Sequence, residues 1–147
     1  MSARPRKPIA QHPCFDPAWA RSPRGLFYRL VHLDPEAEGL SGIGGVLVVW
    51  HDGVRPEWVY VSAATDLAAA IHALADNADV MSYEVNGGLF VTWALLRSEH
   101  RDGAVAYLAD RLRPAVRANG HPSASVPVIA ITPPGESHPA RCRIRFP

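Results

Sequence analysis

The sequence predicts an α/β (α+β) fold: a small mixed β-sheet built on one β-hairpin and flanked by helices. Three observations carry that reading. Apolar runs at 45–50 and 58–61 flank a His51-Asp52-Gly53 turn. Apolar residues recur at helical spacing over 67–78 and again over 105–112. Between those two stretches lies LFVTWALL, rich in β-branched, aromatic and aliphatic residues.

Taken in order, residues 1–24 carry Pro5, Pro8, Pro13, Pro17 and Pro23. Each proline fixes φ and removes a backbone donor, so no continuous helix is expected there. With GLFYRLVHL (25–33), of either helix or strand character, this stretch makes a basic, Pro-rich arm over 1–33. Phe15 and Trp19 are its apolar anchors, expected to tuck against the core, and the part of the arm a partner would meet. A single domain follows over 34–132, and 133–147 reads as a tail.

Within the domain, Gly45–Trp50 and Trp58–Val61 form the hairpin. Both strands are apolar on both faces, which predicts a central pair covered on two sides. Thr65 or Asp66 caps the next helix, whose buried stripe is Leu67, Ile71, Leu74 and Ala78. Asn86-Gly87-Gly88 turns the chain into the LFVTWALL strand. Asp102 or Ser98 caps a last helix with Val105, Leu108 and Leu112 on its inner face, and Pro114 ends it. VPVIAIT supplies one more short strand.

At 147 residues, with 48% hydrophobic and 20% charged residues, the chain fits one soluble globular domain. No apolar run approaches the roughly 18–20 residues of a membrane span. The basic start MSARPRKPIAQHP leads into no apolar segment, which argues against a secretory signal. The two cysteines, Cys14 and Cys142, therefore read as reduced thiols of a cytoplasmic protein. Abundant Arg, Ala and Pro with scarce Lys point to a GC-rich, bacterial coding sequence.

Net charge is +1 but unevenly spread. Arg4, Arg6, Lys7, Arg21, Arg24 and Arg29 oppose Asp16 alone near the start. Over 34–84, Arg55 alone opposes Asp34, Glu36, Glu38, Asp52, Glu57, Asp66, Asp76, Asp79 and Glu84. A central segment of that sign repels phosphate and argues against nucleic acid as the partner. The seven histidines lack the spacing of a zinc site, and no cofactor is implied. His51 is expected exposed in the hairpin turn and His72 solvated on its helix. Trp50, Trp58, Trp93 and Tyr83 read as core or rim packing rather than a base-stacking surface.

Gly45-Val46-Leu47, Tyr60-Val61-Ser62, the two helices and Arg113-Pro114 together resemble the GIY-YIG nuclease superfamily over about 43–117. The resemblance implies a tyrosine, an arginine and a metal-binding glutamate around one active cleft. Residue by residue, those positions carry over to Leu47, Ala70 and Val105, while Tyr60 is retained and Ser62 replaces a glycine. Leucine, alanine and valine neither bind a cation nor donate to a developing oxyanion. A lone tyrosine hydroxyl is a poor base near neutral pH. The resemblance thus implies a non-catalytic domain that binds another protein. The former active cleft (Leu47, Tyr60, Ser62, Ala70, Val105) and the arm (Phe15, Trp19) are its expected surfaces, and sheet-edge pairing is a route to a homo-oligomer. The alternative is a divergent metal-dependent nuclease or nucleic-acid binder using Tyr60, Arg101 and a relocated carboxylate, Asp102. It requires the arm and Arg111, Arg113, Arg117, Arg141, Arg143 and Arg145 to converge beside Tyr60.

Overall fold

The hairpin forms as expected, but only one of its two strands is central; the other ends the sheet. In the computed structural model, which describes residues 14–118 and 126–135, β2 (Gly45–His51) pairs antiparallel with β3 (Glu57–Ala64). Leu47 lies opposite Ser62 and Val49 opposite Tyr60. The register then shifts between Val49 and Trp50, so that Trp50 meets Trp58. The extra residue on β3 lets Val59 and Tyr60 both pack on the same layer of the core. On its other side β2 pairs with β4 (Leu89–Leu95), and β1 (Tyr28–Arg29) pairs with β4 at Val91 and Phe90. The four-stranded order is β1-β4-β2-β3, antiparallel throughout. The α/β class is as expected, but the sheet is antiparallel rather than mixed; the parallel pairing among the described residues is an isolated bridge outside it, Phe15 to Ile131.

Strand β2 is central, and its side chains alternate between two apolar layers. Leu47 and Val49 join Leu67, Ile71, Leu74, Val80, Val91 and Trp93 on one face. Val46 and Val48 join Val61, Ala94, Val105 and Leu108 on the other. Fully burying each such side chain contributes roughly 1.5–3 kcal/mol, so β2 alone demands cover on both sides.

The first face is covered by α1 (Leu67–Ala75), with Asp66 as N-cap accepting from the Ala69 N–H at 3.1 Å. The helix does not run on to residue 80. Asn77 accepts from the Val80 N–H at 3.1 Å and starts a separate turn, α2 (Ala78–Met81). That restart leaves Ala78 exposed, contrary to expectation, and buries Val80 in its place.

The second face is covered by α3 (Ser98–Leu112). Neither Ser98 nor Asp102 caps it: the N-cap is Arg97, without a side-chain bond. Instead Arg101 Nε donates to the Leu96 carbonyl at 2.9 Å, tying the first turn to the end of β4. After the helix, Ala115 and Val116 donate to the carbonyls of Trp58 and Val59 and close part of the outer edge of β3. On the other edge, the Ala20 N–H donates to the Trp93 carbonyl. These contacts occupy backbone that edge-to-edge dimerisation would need.

The VPVIAIT segment does not extend the sheet. The Ile129 N–H donates to the Gly103 carbonyl, laying the segment across α3, and only Ile131 bridges to Phe15. His51 is buried rather than exposed, at 3% accessibility, because it ends β2 instead of entering the turn. Its Nδ1 accepts from the Gly53 N–H and its Nε2 donates to Glu57 Oε1 at 3.1 Å. On β1, Tyr28 stacks on Trp93 and donates to Glu38 at 2.8 Å. Desolvation, with that carboxylate beside it, raises the pKa of the Tyr28 hydroxyl.

Two predictions follow from this packing. A Cβ at Gly103 would sit 2.5 Å from the Pro127 carbonyl and 2.7 Å from Ile129 Cγ1. Alanine gains about 1 kcal/mol of helix propensity, against an overpacking cost of roughly 1–3 kcal/mol; Gly103→Ala is therefore expected to lower the urea midpoint. Hydrogen bonds from Ala69 and Gly42, then the charge of His72, hold the Asp66 carboxyl below its ordinary pKa. The folded value lies below the unfolded one, so this contribution is present above about pH 4 and is lost as pH falls through the folded value. Thermal melts across the acid range should show a shallower acid limb for Asp66→Asn than for wild type.

Candidate functional site

The residues expected to share one cleft divide between the two faces of the sheet. Tyr60 and Ser62 project from β3 toward α1, and Ala70 faces them from α1. All three line a cleft of about 580 Å³ between β3, α1 and α2, with Asp76, Asp79 and Arg117 among its walls. Leu47, opposite Ser62 in the register, is sealed in the core at 0% accessibility. Val105 is 2% accessible and belongs to the layer under α3, across the sheet from Tyr60. The expected five-residue surface is thus three residues: Leu47 is sealed beneath α1 on the same face, and Val105 packs under α3 on the opposite one.

Each wall of the cleft has a local origin. The bulged end of β3 aims Tyr60 at the α1 layer. Asp66 sets the start of α1 and hence the direction of Ala70. The restart at Asn77 turns the chain so that Asp76 and Asp79, both exposed, sit at the mouth. Arg117 arrives with the segment that follows α3 along β3. Arg117 is among the arginines expected beside Tyr60 under the nuclease alternative, whereas sequence reasoning missed Asp76 and Asp79 as wall residues. The Asp-Asn-x-Asp spacing that breaks the helix was the available signal, read instead as continuous helix.

The glycine of the Gly45-Val46-Leu47 segment has a structural reason. A Cβ there would collide with the Ala94 carbonyl on β4. Of the residues of the nuclease alternative, Arg117 shares the cleft with Tyr60, whereas Arg101 and Asp102 do not line it. The Arg101 guanidinium lies over Gly44 and Asp102 is exposed on α3. Arg111 lies 5.9 Å from the Tyr107 ring centre. Arg117 lines the cleft, while Arg141, Arg143 and Arg145 lie outside the described residues. Among the described residues no group of three or more His, Cys, Asp or Glu side chains is arranged to hold a metal ion. No helix among them is long and apolar enough to cross a membrane.

The arm residues serve packing. Trp19 is 9% accessible and its indole N–H donates to the Thr132 carbonyl at 2.6 Å. Phe15 pairs with Ile131 through its backbone and sets its ring 5.1 Å from His100. Cys14 beside it is disulfide-bonded, not the reduced thiol expected, and Cys142 lies outside the described residues. His72 is exposed, as expected, with Nε2 2.8 Å from the Glu36 carboxylate.

A second concavity, of about 330 Å³, opens at the hairpin end on the α3 side, walled by Phe27, Trp50 and Trp58 with Pro134. Its aromatic rings are partly buried and packed on the second core layer, so the expectation of rim packing describes Trp50 and Trp58. The chain matches no protein-family model, and no curated protein or solved structure is significantly similar to it.

The division of the site between two faces makes a direct prediction. Val105→Arg would bury an unpaired charge and is expected to destabilise the fold by more than about 3 kcal/mol. Ala70→Arg, half-buried at the open cleft, should leave the urea midpoint close to that of wild type. Equal destabilisation by the two substitutions would contradict the arrangement.

Proposed function

We propose that the chain is a non-catalytic GIY-YIG-like domain that binds another protein through the Tyr60–Ser62–Ala70 cleft. One observation carries this reading. The positions where the resemblance implies the first tyrosine and the glutamate are held by Leu47 and Val105, both sealed among apolar side chains. Each now serves the packing of a layer, and a polar group in its place would be buried without a partner. The remaining position, Ala70, presents a methyl group to the cleft.

The character of the cleft bears on what it binds. Its charged groups are Asp76 and Asp79 against Arg117. Carboxylates at the mouth disfavour phosphate and favour a segment with lysine or arginine side chains. The apolar strip of Ala70, Ala73 and Leu74 offers room for the stem of such a side chain.

The test is affinity capture with wild type, Ala70→Arg and Asp76→Asn/Asp79→Asn, each first shown to be folded. A discrete protein captured by wild type and lost by both variants is the expected result. Nucleic acid recovered instead, and released by salt, would overturn the reading. So would phosphodiester cleavage in the presence of a divalent cation that Tyr60→Phe abolishes.

A further inference from the structure

We propose that the aromatic groove at the hairpin end binds a proline-rich, arginine-bearing segment of a partner protein in an extended, polyproline-type conformation. This surface lies across the sheet from the Tyr60 cleft and does not rest on the function proposed for it.

The walls carry the first part of the argument. Trp50 and Trp58 lie 5.7 Å apart with their planes tilted by 58°, and Phe27 meets Trp50 edge-on at 4.8 Å. Phe90 stacks behind Trp50 at 5.8 Å and fixes its orientation. The three wall rings are partly exposed, and they form a furrow of rigid faces. Furrows of this kind accept pyrrolidine rings, and a polyproline segment loses little conformational freedom on docking.

The chain itself supplies the second part. Its own Pro134 is buried and lines this groove. The segment bearing it is anchored by the Trp19 indole donating to the Thr132 carbonyl. One end of the groove therefore already holds a proline from a Thr-Pro-Pro-Gly run, and an incoming segment would continue along the same aromatic faces.

Charge supplies the third part. Among the described residues, the ionised side chains lining the groove are Asp52 and Glu57, both exposed, with no lysine or arginine. Arg21 lies over Phe27 at 4.1 Å, outside the lining. Glu57 also accepts from His51, which holds its carboxylate at the rim. A cation on the peptide meets two carboxylates there, which favours an arginine-bearing proline segment over a neutral one.

The experiment follows the four tryptophan indole N–H signals of the full chain, at Trp19, Trp50, Trp58 and Trp93, by NMR. The probe is a synthetic peptide of Pro-Pro-Arg repeats, and the control is one of Gly-Gly-Arg repeats with equal length and charge. The expected result is a saturable shift at Trp50 and Trp58, an unmoved Trp93, and a weaker response to the control. Trp58→Ala should weaken binding by at least about tenfold, and Asp52→Asn with Glu57→Gln by several-fold. Ala70→Arg, in the other cleft, should leave this binding unchanged. Equal responses to both peptides, or no shift at Trp50 and Trp58 in wild type, would overturn the proposal whatever the variants do.

Discussion

The structure depends on one strand that cannot face water on either side. Val46, Leu47, Val48 and Val49 are four consecutive residues of β2 with no accessible surface. A strand turns successive side chains to opposite faces, so that run obliges the chain to build a layer above and a layer below. Helix α1 with α2 supplies one, and α3 with the segments around Trp19 and Ile131 supplies the other. Strand β2 also has a hydrogen-bonded partner on each side, β3 and β4, which leaves its backbone satisfied as well as its side chains.

That constraint decides what the surface can offer. Any side chain directed from the helices toward β2 is consumed by packing, which is the position of Val105. Two open concavities among the described residues lie where the layers end. The α1 layer stops at the Asn77 restart, and the cleft with Tyr60, Ser62 and Ala70 opens there. The α3 layer stops short of the hairpin end, and Phe27, Trp50 and Trp58 are left half-covered. Both concavities lie beside β3, whose outer edge is covered among the described residues by the backbone of Ala115 and Val116.

Much of the fold was legible because it is local. The hairpin follows from apolar runs around His51-Asp52-Gly53, the α1 start from Asp66, and the α3 stripe from Val105, Leu108 and Leu112. What was not legible is long-range or depends on competition between local partners. The Trp19–Thr132 bond spans 113 residues, and no periodicity announces it. The burial of His51 depends on Glu57 and the Gly53 backbone satisfying both ring nitrogens, which only the paired strands make possible. Asn77 sits in an apolar-periodic stretch where spacing favours a continuous helix, yet its side chain competes for the Val80 N–H and wins. The candidate cleft was half legible: hairpin register and helix spacing put Tyr60, Ser62 and Ala70 along one concavity. Which face each helix covers is a tertiary choice: α1 sealed Leu47 beneath it, and α3 carried Val105 to the opposite layer.

The acidic run over 34–84 has a definite placement in this geometry. As a sequence feature it only argues against phosphate. Folded, it distributes carboxylates to both concavities: Asp52 and Glu57 to the aromatic groove, Asp76 and Asp79 to the Tyr60 cleft. These pairs lie at exposed rims, where charges contribute little to folding but steer the encounter with an oppositely charged partner. Under the two binding proposals, one charge pattern therefore serves two faces, and binding at both should weaken as salt screens the rim. The faces differ in what lies beneath the charge. Small alanines line one and suit the stem of a basic side chain, whereas tryptophan and phenylalanine line the other and suit rigid prolines. Selectivity between partners would then reside in the apolar floor, with the carboxylates setting the rate of encounter.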